Sequence, residues 1–171
     1  MKKYVVFILV QLVWGTAIIA GETNNPLNEL VEDYQRASPT NHPPVSVTAY
    51  LKHVGDKSLL AFKLTNLSEK PLTLRPSELP WGNRYSTTLA AVTTDGERIP
   101  NICMIADSFE VQQITIAPGT SREGDYDIEE SVQLSLAPKN KDVILLWSYK
   151  VPGSFKNSQP ICTGIIVIPK R

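Results

Sequence analysis

The chain has 171 residues, 42% of them hydrophobic and 20% charged, with 17 basic side chains against 17 acidic ones. That is the length of one domain with enough apolar material for a core, which excludes wholesale disorder. The balanced charge, with no basic run anywhere, excludes the clustered positive surface of a general nucleic-acid binder.

Met1, Lys2 and Lys3 make a positive start. Tyr4 to Trp14 is apolar apart from Gln11, and Gly15, Thr16, Ala17 and Ala20 are small. This order is that of a secretory signal peptide, residues 1–20, with cleavage expected after Ala20 and Ala17 as second choice. The rival reading is an uncleaved anchor, since the 17 residues from Tyr4 to Ala20 reach the short limit of a membrane span. No cysteine follows the apolar run, so no lipid anchor is expected there. Cleavage removes Lys2 and Lys3 and no acid, which leaves 15 bases, 17 acids and a charge of −2. The mature chain is then expected to be exported, periplasmic or secreted, with no stable membrane anchor.

Cys103 and Cys162 are the two cysteines. An oxidising compartment favours bonding of such a pair, so a Cys103–Cys162 disulfide is expected. It would close a loop of about 60 residues, worth about 4 kcal/mol in chain entropy. Two buried free thiols are the alternative. Neither cysteine has a second cysteine or a histidine at ligand spacing, so no metal site is expected there.

Residues 21–44 form a polar arm. Within it, Pro26 to Arg36 fits a short helix, because Leu27, Leu30, Val31 and Tyr34 recur at i, i+3, i+4 and i+7. Asn25 suits the cap and Pro26 the first helical position. Ser38 to Pro44 stops the helix and reads as a linker. The arm is expected to cover a sheet edge or to fray.

From Val45 the period changes to two. Val45, Val47, Ala49 and Leu51 share one face of a first strand, and Leu60, Phe62 and Leu64 one face of a second. Pro71 to Arg75 is a short strand, with Pro71 at its start or on an edge. Thr87 to Thr93 is another, followed by a hairpin turn centred on Asp95-Gly96 and a partner strand from Arg98. Val111 to Ile116 is a strand stopped by Pro118-Gly119, and Thr120 to Asp127 is polar. Asp142 to Val151 carries Val143, Leu145, Trp147, Tyr149 and Val151 on one face and Ile144 and Leu146 on the other, as in a central strand. Ile161 to Ile168 is the last. Eight or nine short strands with a turn about every ten residues predict an all-β, two-sheet sandwich over residues 45–171.

Leu60 to Leu74 (LAFKLTNLSEKPLTL), the Pro118-Gly119 turn and the Trp147-bearing strand together resemble immunoglobulin-like or fibronectin-type sandwiches of small exported bacterial proteins. In many of these an N-x-S-x-K-P turn like Asn66 to Leu72 joins neighbouring strands. A bacterial proteinase-inhibitor domain of this fold has a similar turn, so the resemblance implies protease inhibition as one function. Trp147 lies near the second cysteine rather than midway, unlike an antibody domain.

Catalytic patterns are missing. His42 lies in the proline-rich arm and His53 at a strand end, and no serine sits in a G-x-S-x-G setting. The nine glycines form no phosphate loop. Asp125, Asp127 and Glu129 would share one face if extended. A calcium ion between them is one reading and a solvated edge strand the other. Asn66-Leu67-Ser68 fits a glycosylation acceptor, but a turn explains it equally. What remains is the loop Pro76 to Tyr85. Trp81, Arg84 and Tyr85 are residue types enriched in binding hot spots, and loops on rigid scaffolds carry binding. Alternatively Trp81 folds back to plug one end of the core. The expectation is a non-enzymatic binding module without cofactor, whose partner is a protein or a saccharide rather than a nucleic acid. Inhibition of an extracytoplasmic protease is the alternative.

Overall fold

Alternating apolar residues define most of the architecture. The computed structural model describes residues 26–36, 44–55, 57–83, 85–102, 112–152 and 160–170. The expected signal peptide, His42, Arg84 and Cys103 lie outside the described residues. Among these residues the elements are one helix, α1 (Pro26–Arg36), and nine strands: β1 (Val45–Val54), β2 (Lys57–Asn66), β3 (Leu72–Leu74), β4 (Thr87–Thr93), β5 (Arg98–Ile99), β6 (Ile114–Ile116), β7 (Ser121–Asp127), β8 (Val143–Lys150) and β9 (Ile161–Ile168). They form antiparallel sheets ordered β1-β2-β7, β3-β6 and β5-β4-β8-β9. The protein is therefore mostly β.

One core is shared by all three sheets. Leu60, Phe62 and Leu64 of β2 meet Leu145, Trp147 and Tyr149 of β8 there. Phe62 meets the Trp147 ring edge to face, with centroids 5.4 Å apart and planes at 89°. Each such buried side chain contributes about 1.5–3 kcal/mol of apolar burial. Gly164 of β9 makes room for Trp147, because a Cβ there would fall 2.5 Å from the indole. On the other margin β1 lies beside β9, so the three-stranded and four-stranded sheets adjoin.

Asn66 ends β2 and shapes the turn into β3. Its side chain is fully buried. Its Nδ2 donates to the carbonyls of Lys70 and Ile116, and its Oδ1 accepts from Ser68 N–H and Ser68 Oγ. All its polar capacity is spent on the turn and on the neighbouring strand β6, which supports the turn reading over the glycan reading.

Two expectations change and one open choice closes. The arm covers neither an edge nor nothing: α1 lies across the outer face of β4, β8 and β9, where Leu30, Ala90 and Leu146 form a second, small core with Val31, Tyr34, Ile144 and Ile165 around it. Of the two readings of the acidic stretch after Thr120, the edge strand stands, since β7 pairs with β2 along seven residues and ends its sheet. Its apolar alternation is faint because Tyr126 is its one buried apolar residue. Finally, Cys162 is a free thiol here, so the expected disulfide is not made in this structure. The sulfur packs against the main core instead.

Candidate functional site

The loop between β3 and β4 starts with a 3₁₀ turn, Pro76–Glu78, where Pro76 sets the backbone of the first position. Leu79 and Pro80 are then buried. Gly82 N–H donates to Leu79 O at 2.8 Å, and the chain folds so tightly that a Cβ on Gly82 would lie 2.0 Å from Pro76 O. Asn83 Oδ1 accepts from the backbone N–H of Tyr85 at 2.7 Å and of Ser86 at 3.0 Å. Ser86 and Thr87 hydroxyls donate to Pro80 O at 3.2 and 2.8 Å. Tyr149, buried on β8, donates its hydroxyl to Glu78 O at 2.8 Å and so pins the loop to the body. Burial pushes that phenol well above its ordinary value, and the charges of Cys162 and Glu78 act in the same direction.

Of the three expected site residues, the two that are described, Trp81 and Tyr85, differ in exposure. Trp81 is half-buried against the main core. Its indole lies on the bare backbone of β7, where a Cβ on Gly124 would fall 2.2 Å from Nε1. This is the plugging arrangement. Tyr85 points the other way and is 56% exposed. Arg84 lies outside the described residues.

The acidic stretch is neutralised by lysines. Asp125 pairs with Lys52 of β1, Asp127 with Lys57 of β2 at 2.8 Å, and Glu123 with Lys63 of β2 at 3.2 Å. Hydrogen bonding to Asp125 and to Asp127 holds Lys52 and Lys57 above their ordinary values. Glu129 does not continue the row. It sits in the 3₁₀ turn after β7, where its N–H donates to Asp127 Oδ1 at 3.1 Å. Among the described residues no group of three or more His, Cys, Asp or Glu side chains is placed to hold a metal ion. His53 Nδ1 lies 3.4 Å from Ser58 Oγ, a long hydrogen bond between the facing ends of β1 and β2. Burial pushes the Cys162 thiol up to about 11, although the Val47 backbone N–H lowers it. A thiol held neutral is a poor nucleophile.

The sequence reading missed the polar contact under α1. Asp33 is 1% exposed. Ser148 Oγ donates to its Oδ2 at 2.6 Å, while Oδ1 accepts no hydrogen bond and faces Lys150 Nζ at 3.4 Å. Lys150 also donates to Glu29 Oε1 at 2.6 Å. Burial opposes the Lys150 charge, but Glu29 and Asp33 together hold its pKa above its ordinary value. The signal was present: Asp33 follows Leu30 by three, on the apolar face of the helix. Ser148 and Lys150 likewise continue the outward row of Ile144 and Leu146.

No family model matches the chain, and no curated protein matches it. A solved structure described as a protein from Archaeoglobus fulgidus aligns over 74% of this chain and 96% of its own, at 11% identity and a TM-score of 0.34. A likeness of that extent carries no statement about what this chain binds or does.

Proposed function

We propose that the chain is an exported, non-enzymatic binding module, built as an immunoglobulin-like sandwich, that engages a protein partner through the tip of the β3–β4 loop. The observation that carries this reading is the pairing of a pinned loop with an exposed aromatic. Leu79, Pro80 and Trp81 are packed inward, Asn83 and Ser86 fix the backbone, and Tyr85 is left in solvent. A rigid amphipathic ring loses little freedom on binding, which is why such residues dominate contact energies. Trp81 supports the loop from beneath rather than touching the partner. The protease-inhibitor reading gains nothing from this geometry, since a turn-rich loop with a buried Leu79 does not offer an extended segment to a cleft. Export rests on the residue order from Met1 to Ala20, and it would bring Cys103 and Cys162 into oxidising surroundings. Intact mass with and without reductant reads both the cleavage and the bridge.

The functional test is crosslinking capture from the exported fraction with wild type, Tyr85→Ala and, as a surface control, Lys63→Ala. Loss of a specific partner in Tyr85→Ala alone supports the reading. Capture of the same set by all three proteins, or of nothing by wild type, sinks it.

A further inference from the structure

An eleven-residue helix is too short to persist in water by itself. Helix α1 therefore exists because of its seat on β4, β8 and β9. The apolar part of that seat is Ala90, Leu146, Ile144 and Ile165, which receive Leu30, Val31 and Tyr34. The polar part is the Tyr34 hydroxyl donating to the Gly164 carbonyl, Ser148 donating to Asp33, and Lys150 bridging Glu29 and Asp33. Within this interface one group works against closure. Asp33 is a buried carboxylate whose second oxygen has no hydrogen bond and only the Lys150 ammonium 3.4 Å away, and the hydration that burial takes from such a group is returned when it is exposed. When the helix lifts, Asp33, Ser148 and Lys150 rehydrate together. The strands beneath lose little, because Leu145, Trp147 and Tyr149 pack on the opposite face of β8, in the main core.

We propose that α1 is a releasable strap: it opens as a unit from the outer face of the four-stranded sheet while the strands stay folded, and the bared seat accepts a helix of the same pattern, an apolar residue followed by a carboxylate three positions on and a tyrosine four positions on. The strap state is set by the balance between the Leu30 contact and the buried Asp33.

Hydrogen exchange of the full chain tests the opening. Amides of residues 28–36 are expected to show protection at least about tenfold below those of β8, as a separate opening unit does. Leu30→Ala lowers α1 protection by about tenfold more and leaves β2 and β8 unchanged. Tyr34→Phe, which removes only the hydroxyl, lowers it less, and the double change Asp33→Leu with Ser148→Ala, which strands no buried hydroxyl, raises it by removing the opposing group. A fluorescent peptide of residues 25–37 then tests the seat. It binds the Leu30→Ala chain at least about tenfold more tightly than wild type, because the resident helix no longer competes, and a scrambled peptide binds neither. The proposal is overturned if α1 and β8 amides exchange together in wild type, if Leu30→Ala deprotects the whole chain, if Asp33→Leu with Ser148→Ala lowers α1 protection, or if the native-sequence peptide binds neither protein.

Discussion

The β3–β4 loop and helix α1 are each anchored by one tyrosine hydroxyl on a backbone carbonyl, the buried Tyr149 on Glu78 and the half-buried Tyr34 on Gly164. Beyond that anchor they differ in where their polar groups go. The loop satisfies itself: Gly82 bonds Leu79, Asn83 bonds Tyr85 and Ser86, and Ser86 bonds Pro80. The helix sends its polar side chains into the sheet, and one of them is incompletely satisfied. A segment bonded to itself keeps its shape whatever lies nearby. A segment bonded to its seat keeps its shape only while seated.

Gly82→Ala is the hardest blow to that difference. A Cβ 2.0 Å from a carbonyl oxygen must reopen the loop. The expected loss is about 3 kcal/mol, at the upper end for overpacking, read as a lower denaturation midpoint while α1 protection is unchanged. Alkaline pH strikes both regions through their tyrosines and β9 through Cys162. For each group burial raises the folded pKa, so the unfolded chain releases the proton first. The stability they contribute is complete below the ordinary value and is lost as pH rises. For Cys162 as a free thiol, kept so by reductant, the window runs from its ordinary 9.0 to about 11, and it corresponds to about 2–3 kcal/mol. The two tyrosines extend the loss to higher pH. Urea melts between pH 8 and 11 check it, and a flat profile would contradict the burial of all three groups.

Ser148→Val separates the regions from the other side. It removes the hydroxyl from Asp33 Oδ2 and leaves a buried carboxylate facing only Lys150. The expected cost is about 1–3 kcal/mol, confined to α1, and exchange that rises in the β3–β4 loop instead would break the distinction. The smallest effect belongs to Tyr85→Ala. With its ring in solvent, the change in stability is expected to stay within about 0.5 kcal/mol, measured by thermal melting. A larger drop would mean that the ring supports the loop rather than topping it.

The sequence made most of the strand framework legible, because in β1 and β2 an apolar face alternates with a more polar one, and β8 is apolar on both. Central placement of β8 followed from Ile144 and Leu146 on its second face. β7 was legible only as one of two readings of its carboxylates, because its partners, not its own apolar side chains, make it a strand: Glu123 and Asp125 face lysines across the sheet, and Gly124 is there to receive an indole. The helix was legible by its period, but its place was not, since apolar spacing says that a face is covered and not by what. For the candidate loop, residue type singled out Trp81 and Tyr85 alike. Only the position of Gly124, some forty residues away in sequence, sends the first inward and leaves the second outside.

Gly124 and Gly164 have a spectroscopic consequence. Each gives berth to one tryptophan, Trp81 against β7 at the rim and Trp147 within the core beside Phe62. Trp14, the third tryptophan of the chain, falls in the segment whose removal is expected. A mature chain would therefore emit from two indoles in unlike surroundings, one reachable by an aqueous quencher such as iodide and one shielded from it. A two-component quenching curve would follow the loop and the core separately in a single cuvette, without any label.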